Sequence, residues 1–433
     1  MKSMPRRLPL RRILLILVAV SSTVAAATWA WISGIAAKRR ARLEEQVRQL
    51  HRETLGRDDP RAILHGDPIP GNAWSDYLLA LTEAEGLRRH ERTLNAFPHG
   101  PAESDLAEVR AMTHDHGDVL ASLRRGARRT HGNYPIDWEQ GRAMTVPRRD
   151  QLELLARFVA ARSRLRAMEG DTREAVLGIL DLFQLARDLS SNSTAPCVEA
   201  ASRIWSISTM ELQELLFSEE FPRLDLAEVD EALQRLDRDF PKEGPILLNN
   251  ALVLGFELLK PEESRGREFQ VPLYRYWRYA YSRRIADADA FDLILAGVRR
   301  VAPRRDGPAR EARGFQAESF IPYRPFIAPQ WDYLFPRIER RHTRTLLRLL
   351  RMAVHYRATG EILELEDPYG DRLHHEIHGS DLKVWSVGGD GVDNGGDDAG
   401  GDWSRKRPTP IPGVMIPGVM MRAPRDIVLT VER

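Results

Sequence analysis

The chain has one cysteine, Cys197, in 433 residues, which excludes an intrachain disulfide. Cys197 follows Pro196 near a predicted helix start, where the helix dipole can lower a thiol pKa. No acid–base partner stands beside it in the sequence, so it reads as a small structural residue. Net charge is also scarce. With 64 basic and 62 acidic residues, the chain has no global field that would draw nucleic acid. A Walker loop, a dinucleotide fingerprint and a nucleophile elbow are all missing, so an enzyme is not the expected class. No 34-residue self-similarity marks a tetratricopeptide array.

Long apolar runs are limited to one. Ile13–Ala37 holds 25 residues without a charge, roughly 37 Å as a helix, against a hydrocarbon core of about 30 Å. Trp29 and Trp31 lie towards one end, where interfacial aromatics belong. The run is longer than the apolar core of a cleaved signal, which predicts an uncleaved single-pass anchor. Five basic residues precede it and four follow closely, Lys38, Arg39, Arg40 and Arg42. This slight excess places the N-terminus in the cytoplasm and the bulk of the chain on the periplasmic, extracytoplasmic side.

What is present beyond the anchor is mainly helical. Arg40–Leu55 reads as a charged helix, and His65–Asn72 breaks it with two prolines and two glycines. Apolar spacing of three and four predicts a helix from about Trp74. Leu106, Val109, Val119, Leu120 and Leu123 mark the next. Helices through Leu152–Leu165 and Ala175–Ala186 turn at Glu169–Asp171, and further helices cover Val198–Phe217, Leu226–Leu236 and Ile246–Leu259. Short loops between such helices describe hairpins of a bundle or repeat-like body. Tyr274–Arg284 interleaves aromatics with arginine, a pattern that can stack bases, but outside the cytoplasm it reads as a packed helix, with no nucleic-acid partner. Residues 299–330 form a basic linker containing Pro and Gly. Ile338–Ala358 is a strong helix with one apolar face and arginines over much of the remainder. Strands follow at "DRLHHEIH", "LKVWSVG" and "DIVLTVE".

From Glu361 to Asp402 there are twelve acidic residues against two basic ones. Within this block "VWSVGGDGVDNGGDDAGGDW" has five aspartates and seven glycines, which no helix accepts. Calcium takes six to eight oxygens at once, and glycines let a loop curve tightly enough to supply them. Neither the EF-hand register nor stacked RTX repeats fit the spacing.

The order "AVHYRATGE", "LEDPYGDRL", "VWSVGGDGVDNGGDD", "DIVLTV" resembles the globular end of type II secretion major pseudopilins, with their helix, "DPWG"-like turn, short sheet, glycine–aspartate loop and terminal strand. The resemblance covers about Arg344 to Arg433. It is shared with large envelope proteins of planctomycete-like bacteria, a group that implies no activity. It implies a calcium-binding loop over 388–402. Asp390 and Asp397 or Asp398 would be ligands, Ser386 and Val387 could offer main-chain carbonyls, and Asp393 is a further candidate. The pseudopilin processing site and its early Glu have no counterpart in the apolar run, so fibre assembly is not implied.

The expected organisation is an anchor over 1–39 with its span at 13–37, a helical extracytoplasmic domain over 40–298, the linker, and a small α+β pseudopilin-like module over 331–433. The expected role is structural or interaction-based in the cell envelope, with calcium as stabiliser and secretion-system or envelope proteins as partners. Two alternatives stand beside it: a helical peptide- or protein-binding scaffold associated with a secretion system, and a metal-dependent hydrolase. The second would use His374, Glu376 and His378, which share one face of a strand.

Overall fold

The computed structural model describes residues 10–55, 61–96, 103–143, 149–191, 193–217, 226–260, 330–370, 372–379 and 381–388. Shorter described stretches lie within 291–299 and at 393, 395–396, 415–416, 419–420 and 427–431. The aromatic–arginine stretch and nearly all of the 299–330 linker lie outside the described residues.

Helix α1 (Leu10–Leu55) leads to β1 (Ile69–Asn72), α2 (Trp74–Glu83), a 3₁₀ turn over Ala84–His90, α3 (Glu91–Ala96), α4 (Glu103–Asp115) and α5 (Gly117–Ala127). Strand β2 (Arg129–His131) precedes α6 (Arg149–Met168), α7 (Thr172–Ser190), α8 (Ala195–Phe217), α9 (Leu226–Arg238) and α10 (Glu243–Leu259). The last helix is α11 (Gln330–Thr359), followed by β3 (His374–His378), β4 (Asp381–Ser386), β5 (Met415–Ile416), β6 (Val419–Met420) and β7 (Ile427–Val431). The chain is mainly helical, with a short antiparallel sheet near its C-terminus.

The apolar run and the charged helix after it, expected as separate elements, are one helix. Lys38–Leu55 contains no glycine or proline to interrupt it. Along the apolar part Leu15, Leu17, Val18, Val20, Val24, Trp29 and Trp31 are exposed. The hydroxyls of Thr23, Thr28 and Ser33 donate to the carbonyls of Ala19, Val24 and Trp29 at 2.9, 2.8 and 2.7 Å, so their polar atoms are satisfied within the helix, as a hydrocarbon phase requires. Among the described residues it is the one helix long and apolar enough to cross a membrane.

Three turns further on, Leu43, Val47 and Leu50 recur at i, i+4 and i+7 and are buried against Leu247, Ala251, Leu254 and Leu258 of α10, with Phe291 and Leu295 closing the seam. Gly255 allows this close approach, because a Cβ there would lie 2.6 Å from Val47 and 2.9 Å from Phe291. Arg40 donates to the Leu259 carbonyl at 2.8 Å, meeting the negative end of α10.

The main core gathers apolar faces of α2 and α4–α9, including Tyr77, Phe158, Phe183 and Trp205. At its edge Arg61 donates to the Arg129 carbonyl at 2.6 Å and is paired with Asp188, which accepts from Tyr77 Oη at 2.9 Å. Burial pushes the Tyr77 phenol up to about 12, so it stays a donor.

Helix α11 belongs to two cores. Leu347, Leu350 and Val354 enter the main core. Leu346, Leu349, Met352 and Tyr356 pack on the sheet with Leu382, Val384 and Ile427. Its arginines do not form the solvated face that their number suggests. Arg344 Nε, Arg348 Nε and Arg351 Nη1 approach buried Asp237 of α9 at 3.3, 3.0 and 3.3 Å, and Arg340 and Arg344 lie over the Phe240 ring.

The C-terminal sheet has the order β3-β4-β7 and is antiparallel throughout. Ser386 pairs with Ile427 and Leu382 with Val431. The alternation places Leu382, Val384 and Ser386 towards the helix and Lys383 and Trp385 on the other face.

Two local expectations change. Leu106–Leu123, expected as one helix, is two, because His116 leaves helical geometry with φ −116° and ψ 31°. The proline-rich break at His65–Asn72 contains a strand paired in parallel with β2.

Candidate functional site

The "DPYG" turn is built on Asp367. Its carboxylate accepts the Tyr369 N–H at 2.9 Å, and its own carbonyl accepts the Gly370 N–H at 3.2 Å. The same carboxylate reaches across to the end of β4. Ser386 Oγ lies 2.8 Å from both its oxygens, and the Val387 N–H donates to Oδ2 at 3.1 Å. Gly388 N–H then donates to Ser386 Oγ at 3.2 Å. A chain of hydrogen bonds thus runs from the turn to the first residues of the glycine–aspartate loop. Burial raises the Asp367 carboxyl above the ordinary carboxylate range, against the pull of its donors and of His374. Sequence reasoning treated the turn as a signature and missed this residue. Its signal was an aspartate opening a tight turn, and its partner lies 19 residues away.

On the opposite face, Trp385 is flanked by the loop and by β3. The His374 ring stacks on it with centroids 5.5 Å apart, and Lys383 Nζ lies 5.6 Å above its ring. Asp393 accepts from Trp385 Nε1 at 3.0 Å and from the Gly395 N–H at 2.9 Å, and these donors hold its carboxyl below the ordinary range. His374 Nδ1 is 3.4 Å from the other Asp393 oxygen. Lys383 Nζ donates to the Gly395 carbonyl at 3.2 Å. Gly396, at φ 65°, lies so close that a Cβ would meet Lys383 at 2.7 Å and Trp385 at 3.0 Å. Only a glycine fits there without displacement.

Of the expected ligands, Ser386, Val387 and Asp393 are described, whereas Asp390, Asp397 and Asp398 lie outside the described residues. The Ser386 hydroxyl is spent on Asp367, and Asp393 is spent on Trp385 and Gly395. A hard cation here would therefore rely on main-chain oxygens of Ser386 and Val387 and on the undescribed carboxylates. That donor set is all oxygen, as calcium prefers. Among the described residues no group of three His, Cys, Asp or Glu could hold a metal.

The alternative histidine set divides. Glu376 and His378 face each other at 3.1 Å, both well exposed, while His374 turns to Trp385 and Asp393. Cys197 is buried, its Sγ 3.7 Å from Thr194 Oγ, and burial pushes the thiol up to about 11, so it is not a nucleophile at neutral pH.

No family model, curated protein or solved structure matches the chain.

Proposed function

We propose that the chain is a membrane-anchored protein of the cell envelope, with its bulk on the extracytoplasmic side and a structural or interaction role. In this reading its C-terminal residues form a pseudopilin-like module stabilised by calcium. The observation that carries the proposal is the double use of α11. One face lies in the helical body and the other supports the sheet. From Arg340 to Arg357, where its side chains are described, none is exposed, which leaves that part of the helix no face for stacking with copies of itself. This favours a fixed display module over a fibre subunit. The hydrogen-bond chain from Asp367 through Ser386 to Gly388 supports the pseudopilin resemblance, because it links two motifs that the resemblance rests on.

Calcium would supply charge neutralisation and a tie between the loop and the strand ends. Asp390, Asp397 and Asp398 would contribute carboxylates, and Ser386 and Val387 carbonyls. Asp393 would order the loop from the strand side.

The test is thermal melting of the full chain in detergent with calcium, magnesium or EDTA. Saturation at 100 times the dissociation constant adds about 2.7 kcal/mol to a form that alone binds the ion. Calcium should raise the melting temperature, magnesium should not, and Asp390→Ala should abolish the increment. Identical melting of the parent in calcium and EDTA would remove the calcium role. The anchor has its own check. The protein should remain in the membrane pellet after carbonate extraction and carry an intact N-terminus, whereas a soluble chain beginning near Thr28 would mean a cleaved signal.

A further inference from the structure

The helices α4 and α5 are separated by a single residue, His116, whose main chain is tied on both sides. Its N–H donates to the Met112 carbonyl at 2.9 Å, and its carbonyl accepts the Val119 N–H at 3.2 Å. Met112 and Val119 are buried in the main core, so both helices are held there while the turn stands at the surface. A Cβ built on Gly117 would meet nothing within 4 Å. The turn has room to move.

The imidazole of His116 lies against the 3₁₀ segment over Ala84–His90. A Cβ on Gly86 would come 2.9 Å from its Cε1, and Phe158 of α6 meets the ring edge-on with centroids 6.3 Å apart. Nε2 is buried with no hydrogen-bond partner among the described residues. A protonated imidazole donates from both nitrogens, so the cation would bury an N–H that has no acceptor. The charges around it do not offset that cost. On the 3₁₀ segment, His90 Nε2 accepts from Arg89 Nε at 2.9 Å, and His90 Nδ1 is 2.6 Å from Glu108 Oε1 of α4. Glu108 also accepts the Thr93 hydroxyl at 2.5 Å, and these donors hold its carboxyl below the ordinary range, so its charge is spent away from His116. Asp115 and Asp118, on either side of the turn, are exposed, and Asp115 lies 3.3 Å from His114 Nδ1. Burial, then Arg89 and His90, lower the His116 pKa against the pull of Asp115.

We infer that this corner is an acid-sensitive hinge, in which a proton taken up by His116 releases the α4–α5 turn from the 3₁₀ segment while the two helices stay in the core. Release gives the second N–H to water and draws the new cation away from Arg89. The sign follows from the folded state's preference for the neutral ring. The stability that the neutral ring contributes is complete above the unfolded value of about 6.5, and it is lost as pH falls from there through the lowered folded value. The inference goes beyond the anchored display role and rests on neither the anchor nor the C-terminal loop.

The test is amide hydrogen exchange of the full chain in detergent at about pH 7.5 and about pH 5.5, on either side of the ordinary histidine value, with rates corrected for the intrinsic pH dependence of exchange. Peptides covering 84–90 and 113–120 should lose protection several-fold at the lower pH, whereas those within α7 and α8 should not. His116→Gln, neutral at both values, should be equally protected at both. Arg89→Gln alters an exposed side chain and removes a repelling cation, so it should weaken the response. If His116→Gln fails to fold, Arg89→Gln decides alone. The inference is overturned if the parent is equally protected at both pH values, if α7 and α8 lose protection together with the turn, or if either variant responds like the parent.

Discussion

Asp237→Asn should destabilise the full chain by about 3–5 kcal/mol, the cost of leaving buried charges without their counter-ion. Asp237 is buried in α9 and receives three arginines of α11 within 3.3 Å, two of them with side chains only 11% and 12% exposed. Asparagine keeps the shape but removes the negative charge, so three guanidinium groups would repel one another in a partly desolvated space. Arg348→Met should cost less, because two cations still balance the aspartate. Salt should not rescue the loss, since screening acts weakly on buried groups. Because α11 is shared, the helical body and the sheet should weaken together. Urea unfolding can be followed by tryptophan fluorescence, which sums nine tryptophans including Trp205 in one core and Trp385 beside the other, and by far-ultraviolet circular dichroism, and the two transitions should shift together. A variant within about 0.5 kcal/mol of the parent, the range of ordinary surface changes, would mean that the arginines are solvated and the clamp is not real.

Asp367→Ala should cost about 2–4 kcal/mol, since the Tyr369 and Val387 N–H groups and the Ser386 hydroxyl would lose their acceptor and each stranded buried group costs about 1–3 kcal/mol at most. Asp367→Asn should cost less, because the amide oxygen still accepts. The pH dependence has a definite sign. Burial raises the folded carboxyl above its unfolded value, so the folded state prefers the neutral form. The stabilising contribution of that form is complete below the unfolded value of about 3.9 and is lost as pH rises through the raised folded value. The gap between parent and Asp367→Ala should therefore widen on acidification from neutral pH towards about pH 4. A gap that narrows instead would mean that the three donors outweigh burial.

Periodicity made the helices legible where one face meets one core. The α6–α7 pair and its turn at Glu169–Asp171 lie where the spacing put them, as do β4 and β7. Elements whose cause is distant were harder to read. The β1–β2 pairing joins Ile69 to Arg129 across 60 residues of chain, and a proline-rich break carries no local trace of it. The turn at His116–Gly117 is hidden because apolar residues continue on both sides at helical spacing. Arg340–Thr359 contains six arginines and no acid, which is itself a signal: a helical stretch with one sign of charge and no i, i+4 partner needs its counter-ion from elsewhere. At the candidate site, glycine and aspartate content indicated a loop, but not that Asp393 would turn to an indole or that Lys383 would reach a loop carbonyl. Those contacts depend on strand register, which composition does not specify.

The unbroken course of α1 has a mechanical consequence. A domain on a loose tether sweeps a hemisphere above the bilayer and meets partners at any bearing. Here the helix that would sit in the lipid continues into Leu43, Val47 and Leu50, which are locked into the seam with α10 and Phe291. A tilt of the span would therefore be transmitted as a tilt of everything mounted on it, over a shaft of about 69 Å for 46 residues. The Trp385 face would be held at a set height and heading. A partner embedded in the same membrane would meet a surface whose rotation is already restrained, and would give up less orientational freedom on binding than it would to a swivelling one.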